Sequence, residues 1–305
     1  MQIYESIARR IEPHHARSMA AFALRLASLS RRKNLPVDQG IDVMGLRFPG
    51  VVGLAAGFDK HGDLYPYLQT AGFGFAEIGT VTPLPEPGRS RGIHAVTHSL
   101  GQYVHRRRIP LGISISMNRD TQLQSMAQDY LSCMHAAWQH ADYIVINLGV
   151  RAGPDLHQLE HRNILGHVLH AVRKEREWLF HQYGNRLPMM IKIDQARSST
   201  HELVCMGLEA GMDGIVLCGS GSRPADMLEH VTRSLNSSIP IVAVGGIRTP
   251  QDAADRLMAG ASLIQVHTGL VQSGPGLIRQ MNTFLRVQGH CERPNKDSYG
   301  RQDQP

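Results

Sequence analysis

Eight short runs of β-favouring, almost continuously apolar residues recur along this chain, each separated from the next by a longer stretch. They occupy residues 51–56, 73–80, 111–116, 143–148, 189–193, 214–219, 240–245 and 263–268. Strands that alternate apolar and polar residues have one wet face, whereas runs that are apolar throughout are covered on both faces, as parallel strands are. Parallel neighbours need a crossover between them, and helices fill that role. The stretches 198–210 and 250–259 read most clearly as such helices. Each opens on a capping residue or proline and leads through Gly211 or Gly260 toward the next run. Strand, helix, strand repeated eight times predicts a closed (β/α)₈ TIM barrel. The competing doubly wound open sheet calls for a GxGxxG turn after the first strand. The chain has GLAAG at residues 53–57 instead.

Length agrees with one barrel plus an appendage, since 305 residues exceed a bare barrel by a few short elements. Residues 1–46 read as a helical extension, with Ile3, Ile7 and Ile11 on one helical face. Met19, Phe22, Ala23 and Leu26 share another within 16–29. Such helices either pack on the barrel or make a monotopic membrane contact beside a hydrophobic tunnel mouth. The barrel is assigned 47–288. The polar tail 289–305 has the composition of a disordered segment. No run of about 18 apolar residues is present to cross a bilayer. No signal-peptide pattern opens the chain. Cys133, Cys205, Cys218 and Cys291 form no CxxC pair and read as free thiols of a reducing, cytoplasmic compartment.

The formal charge is +6, with clusters at Arg31-Arg32-Lys33 and Arg106-Arg107-Arg108. These belong to a solvated surface or draw the chain toward anionic lipid or a phosphate-bearing ligand. No aromatic-interleaved basic platform accompanies them, so nucleic acid is not an expected partner. The 17 histidines show neither HExxH nor HxH spacing, and no metal site is read from them.

A barrel presents its ligand groups at the C-terminal ends of its strands. That rule selects Ala55, Ala56 and Gly57 with Asp59 and Lys60, then Thr80, Ser114, Asn147 and Lys192. It continues with Cys218, Gly219 and Ser220, with Gly245 and Gly246, and with His267, Thr268 and Gly269. Glycines after the last two strands let backbone N–H groups approach a phosphate, and the Thr268 hydroxyl adds a donor; plain turn chemistry is the competing reading. Lys60 and Lys192 would be costly at a strand end without an anion. A flavin suits them, because its N1–C2=O edge gains negative charge on reduction. A salt bridge to a neighbour such as Asp59 or Asp194 is the alternative. Asn147 offers both a donor and an acceptor to a planar ring.

Several segments resemble the dihydroorotate dehydrogenase family: GLAAGFDK at 53–60, GFGFAEIGTVTP at 72–83, PLGIS at 110–114, DYIVIN at 142–147, VGGI at 244–247 and AGASLIQVHTGL at 259–270. The likeness runs from the N-terminal helices to GPGLI at 274–278, and the two-helix extension is similar to that of the membrane-associated, quinone-reducing class. The resemblance implies an FMN-binding barrel and a small-molecule substrate. It also implies a quinone partner and peripheral contact with the inner face of the cell membrane. It places FMN contacts at Ala56, Gly57, Lys60, Thr80, Asn147, Lys192, Gly246, His267 and Thr268, with Lys60 the cation shared by flavin and substrate. Ser114, Cys218 and His267 stand where the family usually has Asn, Thr and Tyr.

The substrate side departs from the family pattern. The family has Asn-Ile-Ser-Ser-Pro-Asn-Thr after strand four, and the second Ser is the base that takes the substrate proton. Here the residues are Asn147, Leu148, Gly149, Val150, Arg151, Ala152 and Gly153, so the base position is Val150. Gly219 replaces the Asn of Thr-Asn-Thr after strand six, and the chain then passes from Ser222 and Arg223 directly to Pro224. The family's Asn-Arg-Met-Gly-Phe-Asn-Asn segment has no counterpart between Pro83 and Pro110. The expectation is a dihydroorotate dehydrogenase-like, FMN-dependent oxidoreductase acting on a different substrate. Cys218, Arg151, His98 and His157 are candidate new groups. Arg151 is either a clamp for an anionic substrate or a surface residue, and Cys218 either reacts or packs. The alternative is a non-catalytic FMN- or phosphate-binding relative serving as partner subunit or regulator.

Overall fold

A computed structural model describes residues 11–29, 40–103, 108–149, 161–194, 200–219, 224–235 and 239–289, together with Tyr4, Ser6 and Ala8. Helix α1 (Pro13–Leu29) precedes a hairpin of β1 (Ile41–Val43) and β2 (Leu46–Phe48). There follow β3 (Val52–Leu54), α2 (Tyr65–Ala71), β4 (Phe75–Val81), α3 (Ile93–Gly101), β5 (Leu111–Ile115), α4 (Met126–Ala137) and β6 (Tyr143–Asn147). The chain continues through α5 (Arg162–Tyr183), β7 (Met189–Asp194), α6 (Thr200–Glu209), β8 (Gly214–Cys218), α7 (Pro224–Ser234), β9 (Ile241–Val244) and α8 (Pro250–Met258). It ends with β10 (Leu263–Val266), α9 (Thr268–Ser273) and α10 (Gly276–Val287). Strands β3 to β10 pair in parallel and in chain order. The barrel closes where β10 pairs back onto β3, setting Ile264 against Val52, Gln265 against Gly53 and Val266 against Leu54. All eight apolar runs of the sequence are therefore barrel strands.

Differences from the sequence reading lie at element ends. The last run was expected to reach Thr268, but the strand stops at Val266 and Thr268 opens α9. The hairpin of β1 and β2 was not foreseen, because three-residue strands carry no period to read. It has a packing role. Phe48 is fully buried, with its ring edge-on to Phe75 at 5.3 Å and tilted against Tyr143 at 6.4 Å, so the hairpin closes the floor of the barrel. The barrel interior makes room for those rings with glycine. A Cβ at Gly53 would collide with the Phe75 ring, and one at Gly112 with the Tyr143 ring. The Tyr143 hydroxyl, fully buried, donates to the Ala76 carbonyl at 3.2 Å.

The expected second N-terminal helix is α1, beginning three residues earlier than the periodicity indicated. It packs on α2 and α9 through Ala16, Ala20 and Leu24, while Phe22 and Leu26 stay exposed at 60% and 51%. Its predecessor falls largely outside the described residues, as do Arg31, Arg32, Lys33, Arg106 and Arg107. Helix α8 shows how locally the sequence writes its boundaries. The Thr249 side chain accepts from the Asp252 amide at 3.1 Å, and the Asp252 carboxylate accepts from the Thr249 amide at 2.8 Å. Pro250 sits in the first turn of the helix.

Replacing Gly112 by alanine should destabilise the barrel by about 1–3 kcal/mol, because a methyl group must displace a fully buried tyrosine ring. Gly276→Ala, where a Cβ meets nothing within 4 Å, should stay within about 0.5 kcal/mol of the parent. Urea unfolding of both variants checks the contrast.

Candidate functional site at the barrel mouth

Because the strands are parallel and closed, their C-terminal ends share one rim, and residues far apart in sequence meet there. The Asn147 amide donates to the Thr80 hydroxyl at 2.7 Å, and that hydroxyl lies 3.4 Å from the Ser114 hydroxyl. Asn147 also accepts from the Gly149 amide at 3.0 Å, while the buried Tyr130 hydroxyl donates to its carbonyl at 2.9 Å. The Asn147 side chain is thereby fixed in orientation. Lys192 lies on β7 directly across from Asn147. Its ammonium donates to Glu77 at 3.1 Å, and the other Glu77 oxygen accepts from the Gln265 amide at 2.6 Å. The carboxylate partner of Lys192 is thus Glu77, not the sequence neighbour Asp194. Burial opposes charge on Lys192, but the Glu77 carboxylate outweighs it and holds the lysine above its ordinary range.

The loop after β3 is built around Asp59, which is 3% exposed. Its carboxylate accepts from the amides of Gly62 at 3.0 Å, Asp63 at 3.1 Å and Leu64 at 2.9 Å. That carboxylate is committed to the loop backbone. Lys60 reaches instead to the Gly88 carbonyl at 2.9 Å, tying the loop after β3 to the turn after β4. The Gly57 amide donates to the Gly79 carbonyl at 2.5 Å, and Arg17 of α1 donates to the Gly57 carbonyl at 3.3 Å. The N-terminal helix therefore touches the rim, with Ala56 and Gly57 beneath it.

Across the rim, Gly245 and Gly246 adopt φ of 98° and 71°. A Cβ on Gly245 would strike the Gly219 carbonyl, so the turn is open to glycine alone. The buried Arg256 guanidinium braces it from behind, donating to the Gly245 carbonyl at 3.0 Å. His267 stands edge-on to Phe58 at 5.9 Å, and Thr268 and Gly269 open α9 beside it. Cys218 ends β8 near Lys192. Burial raises its thiol above the usual range despite that neighbour, which keeps it neutral and favours packing over reactivity.

His98 is not a mouth residue. It lies on α3 in a cavity of about 490 Å³ on the barrel flank, lined also by His94, Gln102 and His140. Val150, Arg151, Ala152, His157 and Ser220 lie outside the described residues. The segment after β4 is a compact turn. Glu86 takes an ion pair from Arg89 at 2.8 Å and a hydrogen bond from Asn118 at 2.9 Å, and the Asn118 carbonyl oxygen accepts from the Leu84 amide at 3.0 Å. Sequence reasoning missed Glu77, Gln265, Asn118 and Arg17. For Glu77 a signal was available: a charge inside an otherwise apolar strand demands a partner.

With the geometry in place, the comparisons with known proteins agree. A family model described as dihydroorotate dehydrogenase matches residues 40–91 and 222–286. A protein of Azotobacter vinelandii named dihydroorotate dehydrogenase (quinone) is 36% identical, over 85% of this chain and 87% of its own length. One of Cellvibrio japonicus with the same name is 35% identical over 85% and 88%. The crystal structure of DHODH in complex with ferulenol from Eimeria tenella superposes with a TM-score of 0.80 and covers 93% of each chain; at 24% identity it speaks for the fold. The fold is a (β/α)₈ barrel whose strand ends meet at one rim. This chain belongs to the dihydroorotate dehydrogenase family.

Burial pushes the Asp59 carboxyl up to about 6, against backbone N–H bonds from Leu64, His61 and Gly62 that pull it down. The folded chain then holds the proton that the unfolded chain releases near pH 4. The stabilising contribution is complete at lower pH and fades as pH rises through about 6. Relative to Asp59→Asn, the parent should lose up to about 3 kcal/mol between pH 4 and pH 7. Melting temperatures of both proteins across that range test the sign.

Proposed function

We propose that this chain is an FMN-dependent oxidoreductase of the dihydroorotate dehydrogenase type whose pocket takes a substrate other than dihydroorotate. The observations that carry this reading are a polar cluster at the rim and the sequence that follows Asn147. The hydroxyl and amide groups of Thr80, Ser114 and Asn147 form one connected cluster, and Lys192 lies on the neighbouring strand across from Asn147. The family's base position, three residues beyond Asn147, is Val150, which cannot accept a proton.

The donor set fits FMN. A flavin ring needs polar partners along one edge and a cation where reduction places negative charge. Asn147, Thr80, Ser114 and Lys192 would hold that ring, with Lys60, Ala56 and Gly57 at the neighbouring rim and Cys218 and His267 as further wall. Gly245, Gly246, Thr268 and Gly269 would hold the phosphate, as glycine-rich ends of the last two strands do in barrels. When bound, the flavin supplies two-electron hydride acceptance. The chain's own residues would orient it, and the Asn147 side-chain amide is pre-set for this by Gly149 and Thr80.

The sequence of the loops after strands four and six supports the changed specificity. Gly219 and Ala152 replace amide side chains that in the family would grip a pyrimidine, and a site built on such contacts loses orders of magnitude when several vanish. Arg151 is the group we assign to an anionic substrate. Identity of 36% to a protein named for dihydroorotate favours a second reading, in which dihydroorotate is itself the substrate. A quinone acceptor and a peripheral membrane contact draw support from α1, which exposes Phe22 and Leu26. No described helix is long and apolar enough to cross a membrane.

The purified protein should be yellow, with one FMN per chain. Thr268→Val and Lys192→Met should each weaken flavin retention roughly tenfold or more, each having lost a charge-assisted hydrogen bond. A protein that stays colourless after incubation with FMN contradicts the flavoenzyme reading and favours a non-catalytic relative. Steady-state turnover of dihydroorotate with a quinone should be roughly 10²–10⁴-fold below that of a family member with an intact base. Turnover at the level of such a member supports the second reading.

A further inference from the structure

Among the described residues Glu77 is the most enclosed charge inside the barrel. It sits on β4, none of it is exposed, and its two oxygens are spoken for by residues 115 and 188 positions away in the chain. A buried carboxylate is costly, and replacing a buried ion pair by well-packed apolar residues is often neutral or stabilising. Stapling β4 to β7 and β10 therefore does not require charge, and apolar side chains would serve. The arrangement is also directional. Gln265 is fully buried, and its amide locks one carboxylate oxygen so that the other faces Lys192. The Lys192 side chain is 12% exposed, on the rim side of the pair and across from Asn147. One of its three N–H groups goes to Glu77, which leaves the others able to serve a ligand at the mouth.

We infer that Glu77 is a positioning residue that keeps Lys192 cationic and aimed at the mouth, and thereby sets the reduction potential of the flavin bound there. This rests on the FMN reading above. The physics is a matter of sign. Reduction places negative charge on the flavin, and a nearby ammonium stabilises that state. Without Glu77, burial acts alone on Lys192 and drives it toward the neutral amine, so the reduced flavin loses its counter-charge. Removing the carboxylate should therefore act like removing the lysine, although the two changes alter net charge in opposite directions. A simple through-space effect of Glu77 on the flavin predicts the reverse, since loss of a negative charge would raise the potential.

The test is a spectroelectrochemical titration of the FMN-loaded protein and its Glu77→Gln, Glu77→Asp, Lys192→Met and Glu77→Gln/Lys192→Met variants, at matched flavin occupancy. Glu77→Gln should lower the midpoint potential in the same direction as Lys192→Met. The double variant should fall no further than Lys192→Met alone, and Glu77→Asp should recover part of the parent value. If Glu77→Gln does not fold, Gln265→Leu, which keeps both charges but frees the carboxylate, should give a smaller shift of the same sign. A potential that rises or stays unchanged in the Glu77 or Gln265 variant, while Lys192→Met lowers it, overturns the inference and leaves the flavin assignment standing. A parent protein that takes up no flavin overturns both.

Discussion

The pairing of β10 back onto β3 is the constraint on which everything else depends. Three residue pairs, Ile264 with Val52, Gln265 with Gly53 and Val266 with Leu54, turn an eight-stranded sheet into a ring with no edges. Closure leaves no room for a void on the axis, so the interior must fill with side chains. Phe75 and Tyr143 do so where Gly53 and Gly112 give way, and Phe48 of the hairpin seals the floor. Closure also brings Thr80, Asn147, Lys192 and the Gly245–Gly246 turn to one rim. No local interaction in the sequence could have assembled them.

Above the aromatic floor the interior changes character. Glu77, Gln265 and Lys192 form a buried polar step between the rings below and the hydroxyl and amide cluster at the rim. A polar step in a barrel core is tolerable because each charge has a partner. The rim loops are then braced from outside: Asp59 holds the loop after β3 by its backbone, Arg256 holds the turn after β9, and Asn118 holds the turn after β4. Braced loops of this kind suit a site that must present fixed donors to a rigid planar ring.

The fold was legible because parallel strands covered on both faces are apolar throughout and must alternate with helices. The rim list was legible for the same reason, since strand ends in a barrel converge. The interactions within that list were not. Lys192 was given sequence neighbours as possible partners, yet its partner Glu77 comes from a strand three positions round the barrel, and strand order and stagger decide that, not spacing along the chain. Asp59 was unavailable to any lysine because its oxygens take loop amides. His98 was drawn to the mouth by chemistry alone, whereas α3 carries it to the flank. The hairpin of β1 and β2 was too short to leave a pattern.

The proposed change of substrate concerns a single half-reaction. Thr80, Ser114 and Asn147 are hydrogen-bonded together at the rim, and the proposal turns on Val150, three residues further along the chain. Rapid mixing of the FMN-loaded protein with dihydroorotate, without oxygen or quinone, isolates that step, because bleaching of the flavin absorption reports proton and hydride removal directly. The account predicts a stable yellow protein that bleaches over minutes to hours, or not at all. Complete bleaching within the mixing time, saturating with dihydroorotate, would contradict it.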